Sequence, residues 1–88
     1  MQHAVKIPGP LRSYTNNATQ VSARGDTLEQ LLAELERSCP GMRFRMIDEQ
    51  GRIRPHIRIF INTQETLTLT TPLAAGDVVH LICALSGG

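Results

Sequence analysis

The chain has 88 residues, a formal charge of +1 and an apolar fraction of 41%. A domain this short hides about 60% of its unfolded surface, which leaves little room for a core, a cofactor pocket and a buried catalytic apparatus together. The balanced charge lacks the basic excess of a nucleic-acid footprint, and no run approaches the ~20 apolar residues that span a bilayer.

Two cysteines, Cys39 and Cys83, are too few for a disulfide framework, and Met1 to Ala4 runs into a mixed strand rather than a secretory leader. The expectation is a cytoplasmic protein with free thiols. His3 to Pro8 alternates, with His3, Val5 and Ile7 on one side, as a half-buried strand does. Gly9 to Asn17 holds two prolines, a glycine and paired asparagines and reads as a turn, after which Thr19 to Ala23 returns as a second, polar strand.

Leu28, Leu31, Leu32 and Leu35 recur at steps of three and four, which predicts a helix with one leucine stripe against a sheet. Asp26 and Thr27 each offer a capping oxygen, and each is followed three places later by Glu29 or Gln30. Pro40 and Gly41 end the helix near Cys39. Phe44, Met46 and Ile47 are expected to cover one end of the core, and Asp48-Glu49-Gln50-Gly51 to turn.

Pro55 to Asn62 is the clearest strand, with Ile57, Ile59 and Ile61 on one face and His56, Arg58 and Phe60 on the other. Glu65 to Thr70 alternates threonine with leucine and should pair locally. Val78 to Leu85 closes the pattern, with Val79, Leu81, Cys83 and Leu85 inward and Val78, His80, Ile82 and Ala84 outward. The order is ββαβββ, and one substantial helix can cover only one side of such a sheet.

Several chemistries fail on inspection. His80 and Cys83 stand at a zinc-like spacing, but positions of opposite parity in a strand point to opposite faces. That leaves a buried cysteine and unrelated surface histidines. Cys39 lies at a helix C-terminus, where the dipole disfavours a thiolate. No glycine-rich phosphate loop opens a helix, so any ATP is bound by another protein. Arg43, Arg45, Arg52, Arg54 and Arg58 are interrupted by Asp48 and Glu49 and lack stacking aromatics, which fits a solvated, partner-facing rim better than an RNA site.

Two features remain. Phe60 and Ile82 point away from the leucine stripe in company with His80, Arg58 and Lys6. If their strands are neighbours, this is a small apolar patch rimmed by basic groups; one exposed apolar side chain per strand is the ordinary alternative. The last residues, Leu85-Ser86-Gly87-Gly88, set a carboxylate on a short unbranched arm. A carboxylate is a poor electrophile that conversion to an acyl-adenylate would activate; an inert frayed end is the alternative.

The segments KIPGPLRSYT (6–15), CPG (39–41), DEQGRIRPHIRIFIN (48–62), TPLAAGDVV (71–79) and ALSGG (84–88), in that order, resemble the ubiquitin-like sulfur carriers. These include the small subunit of molybdopterin synthase and the carriers of the thiamine and cysteine pathways. The resemblance implies an α+β, β-grasp fold: a mixed sheet of four to five strands, one main helix on one face, and the first and last strands parallel in the middle. It implies a domain over residues 1–85 followed by a tail, 86–88. Gly88 would be adenylated with ATP by a ubiquitin-activating-like adenylyltransferase, then converted with a sulfur donor enzyme to a thiocarboxylate that feeds a downstream synthase. Gly87 would let the end enter narrow active sites.

The same resemblance implies that Phe60, His80 and Ile82, with Arg58, form the docking face. It makes the chain a co-substrate, not an enzyme, with no cofactor, nucleic acid or membrane of its own. A protein modifier forming isopeptide bonds and a binding module with an inert tail are the alternatives. Departures from the family pattern are Thr63 after Asn62 where glycine is common, a shorter connection before Thr71-Pro72-Leu73, and Cys83 where proline is frequent. The IPGPLRSYT opening leans toward the general or cysteine-type carriers.

Overall fold

A computed structural model describes residues 2–84. Strand β1 (Gln2–Lys6) leads through a 3-10 helix (Gly9–Thr15) to β2 (Gln20–Arg24). Helices α1 (Leu28–Ser38) and α2 (Met42–Met46) follow, then β3 (Ile57–Ile61), β4 (Gln64–Thr66) and β5 (Val78–Cys83). The five strands make one sheet in the order β2-β1-β5-β3-β4. β1 and β5 are parallel and the other neighbours antiparallel, so the last strand lies in the middle beside the first, as expected.

The helix begins where its polar groups are best satisfied. Thr27 is the N-cap, and its hydroxyl accepts from Gln30 N–H at 3.2 Å. Gln30 in turn accepts from Asp26 N–H at 2.8 Å, one residue earlier than in an ideal capping box. The two other open amides of the first turn are met from a distance: Leu28 N–H donates to Thr71 O at 3.0 Å and Glu29 N–H to Leu69 O at 2.9 Å. This explains why the threonine–leucine stretch is not the long strand its alternation suggests. β4 stops at Thr66 because the backbone beyond it bends to cap α1, leaving Leu67 83% exposed while Leu69 is buried.

Leu28, Leu31, Leu32 and Leu35 are buried against Val5, Ala23, Ile57, Ile59, Val79 and Leu81 from the sheet and Ile7 just past β1. The approach is close enough that a Cβ on Gly25 would lie 2.5 Å from the Leu31 backbone nitrogen. α1 ends as Cys39 N–H donates to Leu35 O, and Gly41 turns the chain at φ +93°. The Glu36 carboxylate accepts from Gly41 N–H at 2.8 Å and Arg43 N–H at 3.0 Å, which starts α2. These bonds hold the Glu36 carboxyl below its ordinary pKa.

Three expectations are corrected. The segment read as a turn is a 3-10 helix, entered with Pro10 in its first turn; it buries Leu11 and Thr15 and ends at Asn16 and Asn17, both at positive φ. In α2 it is Met42 and Met46, with Ile47, that close the core, while Phe44 is 58% exposed. His3 is not a surface histidine: it is 2% exposed, with Nδ1 3.0 Å from Asp77 O and Nε2 3.0 Å from Gly25 O. Its ring thus ties β1 to the turns before β5 and α1.

Replacing Leu32 with Ala is expected to destabilise the fold by about 2–5 kcal/mol and Thr27→Ala by about 1 kcal/mol. Gly25→Ala, which drives a Cβ into helix backbone, should lower the unfolding midpoint more than Thr27→Ala. Equilibrium urea unfolding ranks the three, and a Gly25→Ala midpoint equal to wild type would refute the close approach.

Candidate functional site

The face of the sheet opposite α1 carries one register row across all five strands: Gln20, Lys6, His80, Phe60 and Glu65. Beside it Ile82 stands opposite Arg58. Phe60, His80 and Ile82 come together with Lys6, Pro8, Asn62 and Thr63 around a shallow hollow of about 460 Å³. Ile82 is 42% exposed, an unusual position for an isoleucine in the central strand of a sheet. The patch read from parity therefore exists.

Arg58 is set slightly apart. It lies 3.3 Å from the Glu65 carboxylate and lines a different hollow, at the β3–β4 end. An exposed pair of this kind contributes less than about 1 kcal/mol, so the guanidinium remains available to a partner.

The edge of the patch is set by a network that sequence reading missed. Asn62, at φ +57°, donates from Nδ2 to the Asp77 carboxylate at 2.9 Å and accepts at Oδ1 from Val78 N–H at 3.0 Å. Asp77 also accepts from Ala74 N–H at 2.8 Å. The end of β3 and the start of β5 are thus pinned together, and His80 falls opposite Phe60. Thr63 takes no positive φ, so a Cβ is tolerated where a glycine was the family expectation.

At the other end of β5, Ala84 N–H donates to His56 O at 2.7 Å, carrying the pairing one residue past Cys83. Gly87 and Gly88, the residues expected to carry the chemistry, lie outside the described residues. What the structure fixes is their point of departure: the central strand of the sheet, at the edge where β3 begins.

Residues 5–88 match the ThiS family, from the first strand to the terminal glycine. The chain belongs to the ThiS family. Sulfur carrier protein CysO from Mycobacterium tuberculosis and its counterpart from Mycobacterium bovis are each 33% identical over 93 aligned positions, covering the whole of both chains. The crystal structure of the Mycobacterium tuberculosis CysO superposes with a TM-score of 0.87 at 32% identity, over 93% of this chain and 98% of that one. CysO in the Amycolatopsis orientalis BexX/CysO complex gives 0.88 at 25% identity, over 97% and 98%. Small archaeal modifier protein 1 from Haloferax volcanii, at 24% identity and full coverage, shares the fold with a TM-score of 0.83. The architecture of this ThiS-family chain is accordingly the ubiquitin-like β-grasp of the sulfur carriers.

Neither thiol of this ThiS-family chain is set up as a nucleophile. Cys39 is buried, and desolvation, followed by the nearby Glu36 carboxylate, pushes its pKa up. Cys83 is pushed up by desolvation as it packs inward against the core, while His80 lines the outer hollow; the zinc-like spacing brings them to opposite faces. Both thiols should alkylate with iodoacetamide at pH 7 more slowly than free cysteine, as followed by intact mass.

Asp77 gives the site a pH dependence. The Ala74 amide, then the Asn62 amide, hold its carboxyl below the ordinary range. A carboxyl depressed in the folded state stabilises above the unfolded value of about 4, and that contribution is lost as pH falls through the lower folded value. Asp77→Asn should therefore melt earlier than wild type at pH 7, with the gap narrowing on acidification to about pH 3. Parallel melting curves at both pH values would refute the assignment.

Proposed function

We propose that this chain is a sulfur-donating co-substrate in which the Gly88 carboxylate is the working group. The observation that carries the reading is the family match, which runs to Gly88 itself and so includes the Gly87-Gly88 end, with sulfur carriers as full-length relatives. A carboxylate oxygen of Gly88 attacks the α-phosphorus of ATP on a ubiquitin-activating-like adenylyltransferase, and pyrophosphate leaves. The acyl-adenylate carries a good leaving group, so a sulfide-level nucleophile supplied through a sulfur donor enzyme adds to the carbonyl carbon and AMP departs. The product is a thiocarboxylate, whose polarisable sulfur is then passed to a downstream synthase. The ATP stays with the partner. Gly87 and Gly88, lacking Cβ atoms, suit a channel too narrow for substituted residues.

Phe60, His80 and Ile82 supply the docking face in this reading, with Lys6 and Arg58 at its rim. A buried apolar centre within a polar rim is the usual anatomy of a specific interface. The solved Amycolatopsis CysO is seen in complex with BexX, which supports a partner-docking role for this scaffold. The CysO relatives and the IPGPLRSYT segment favour a general or cysteine-type carrier.

Incubation with an activating enzyme, ATP and a sulfide source should replace one oxygen by sulfur at Gly88, read by intact mass and by the C-terminal peptide. An enzyme that adenylates a known carrier but leaves this chain unchanged would overturn the proposal. Lysine adducts that survive thiol treatment would instead mark a protein modifier. Deleting Gly88 should abolish sulfur loading without lowering the melting temperature. Ile82→Asp should raise KM for the activating enzyme about tenfold or more while the domain stays folded.

A further inference from the structure

A second surface lies where the chain leaves the domain. Two adjoining hollows, of about 420 and 360 Å³, share Tyr14, Arg45 and His56. The first adds Phe44 and Arg54, the second Cys83 and Ala84, and no carboxylate lines either one. Elsewhere among the described residues Arg37, Arg43, Arg52 and Arg58 each stand within ion-pair distance of an acidic side chain, whereas Arg12 and Arg24 do not. Arg45 and Arg54 make no such pair among the described residues, although Arg54 acts on the Asp48 carboxylate through space.

Both guanidiniums are nevertheless held in place. Arg45 donates from Nε to the Tyr14 hydroxyl at 2.7 Å, and Tyr14 is itself seated against Gly41, where an added Cβ would come within 3.3 Å of its ring. Arg54 donates from Nε to Phe44 O at 2.7 Å and stacks 4.6 Å from the Phe44 ring centroid. This gives the exposed Phe44 its role. In both arginines the bond is made by Nε, and no bond from the terminal amino groups is seen among the described residues; Arg45 is exposed and Arg54 half-buried. Aromatic groups thus orient two cations without neutralising them.

We infer that this cleft docks an acidic segment of the adenylating enzyme, a surface separate from the Phe60–His80–Ile82 patch. The inference rests on the carrier reading. Its further support is position. Ala84 lines the second hollow, and only four residues separate it from the carboxylate of Gly88, a reach of at most about 14 Å. An enzyme that acts on Gly88 must bring its own surface that close to Ala84, and hence over or beside Arg45 and His56. Charge complementarity decides what it presents there: carboxylates, which guanidinium forks bind in a bidentate manner. Contacts of this sort at an interface margin steer encounter more than they change the chemical step.

The test uses the full chain and an adenylyltransferase that forms the acyl-adenylate on wild type, with Arg45→Glu, Arg54→Glu and their double variant. Arg24→Glu on β2 serves as a control at a distance that makes the same change of net charge as either single variant. At low ionic strength kcat/KM for adenylation should fall about tenfold for the double variant with kcat unchanged, and the difference should shrink in high salt. Arg24→Glu should behave as wild type, and equal melting temperatures exclude misfolding. Unchanged kcat/KM in the double variant, or an equal fall with Arg24→Glu, overturns the inference while leaving the carrier reading intact. Failure of wild type to be adenylated overturns the carrier reading and the inference with it.

Discussion

The seal between four leucines of α1 and the inner face of the sheet is the contact on which the rest of the molecule depends. One short helix has one apolar stripe, and that stripe can cover one face of a five-stranded sheet but not both. The opposite face must meet solvent or another protein. On it the period-two alternation of β3 and β5 delivers Phe60 and Ile82 whenever Ile59 and Leu81 are delivered to the core. The outer apolar patch is thus the geometric complement of the core, produced by the same strands that fold the domain.

The parallel pairing of β1 with β5 has a second consequence. Setting the final strand in the middle of the sheet supports it from both sides, so the chain end departs from the most heavily braced part of the domain. Asn62 and Asp77 lock one end of β5, and the His56 carbonyl takes the last described amide at the other. Desolvation pushes both thiols of the domain up in pKa, away from the thiolate form.

Much of this was legible from residue spacing. The leucine stripe, the Thr27 cap, the helix end at Cys39 and the inward and outward sets of β3 and β5 all follow from local periodicity and capping chemistry. The misreadings share one cause. Leu67 and Leu69 alternate like a strand, but carbonyls in that stretch are needed by the amides of a helix some forty residues earlier in the chain, and the backbone bends to reach them. Phe44 resembles core in composition, yet Met42 and Met46 occupy that side of α2 and Phe44 is left to hold Arg54. His3 was placed on the correct face by parity, but its two carbonyl partners come from loops far away in sequence.

The amino-acid sequence alone determined the elements, the sidedness of each strand and, through the separated motifs ending in Gly87-Gly88, the family. Those properties are local: they depend on neighbours within a turn or two, or on residue identity read in order. Only the tertiary structure decided which outward residues share a row, that Arg58 is engaged by Glu65, and that Arg45 and Arg54 gather near Ala84 without a carboxylate between them. Strand order and loop path set those distances, and they answer to the packing of the whole chain, which no short window of sequence contains.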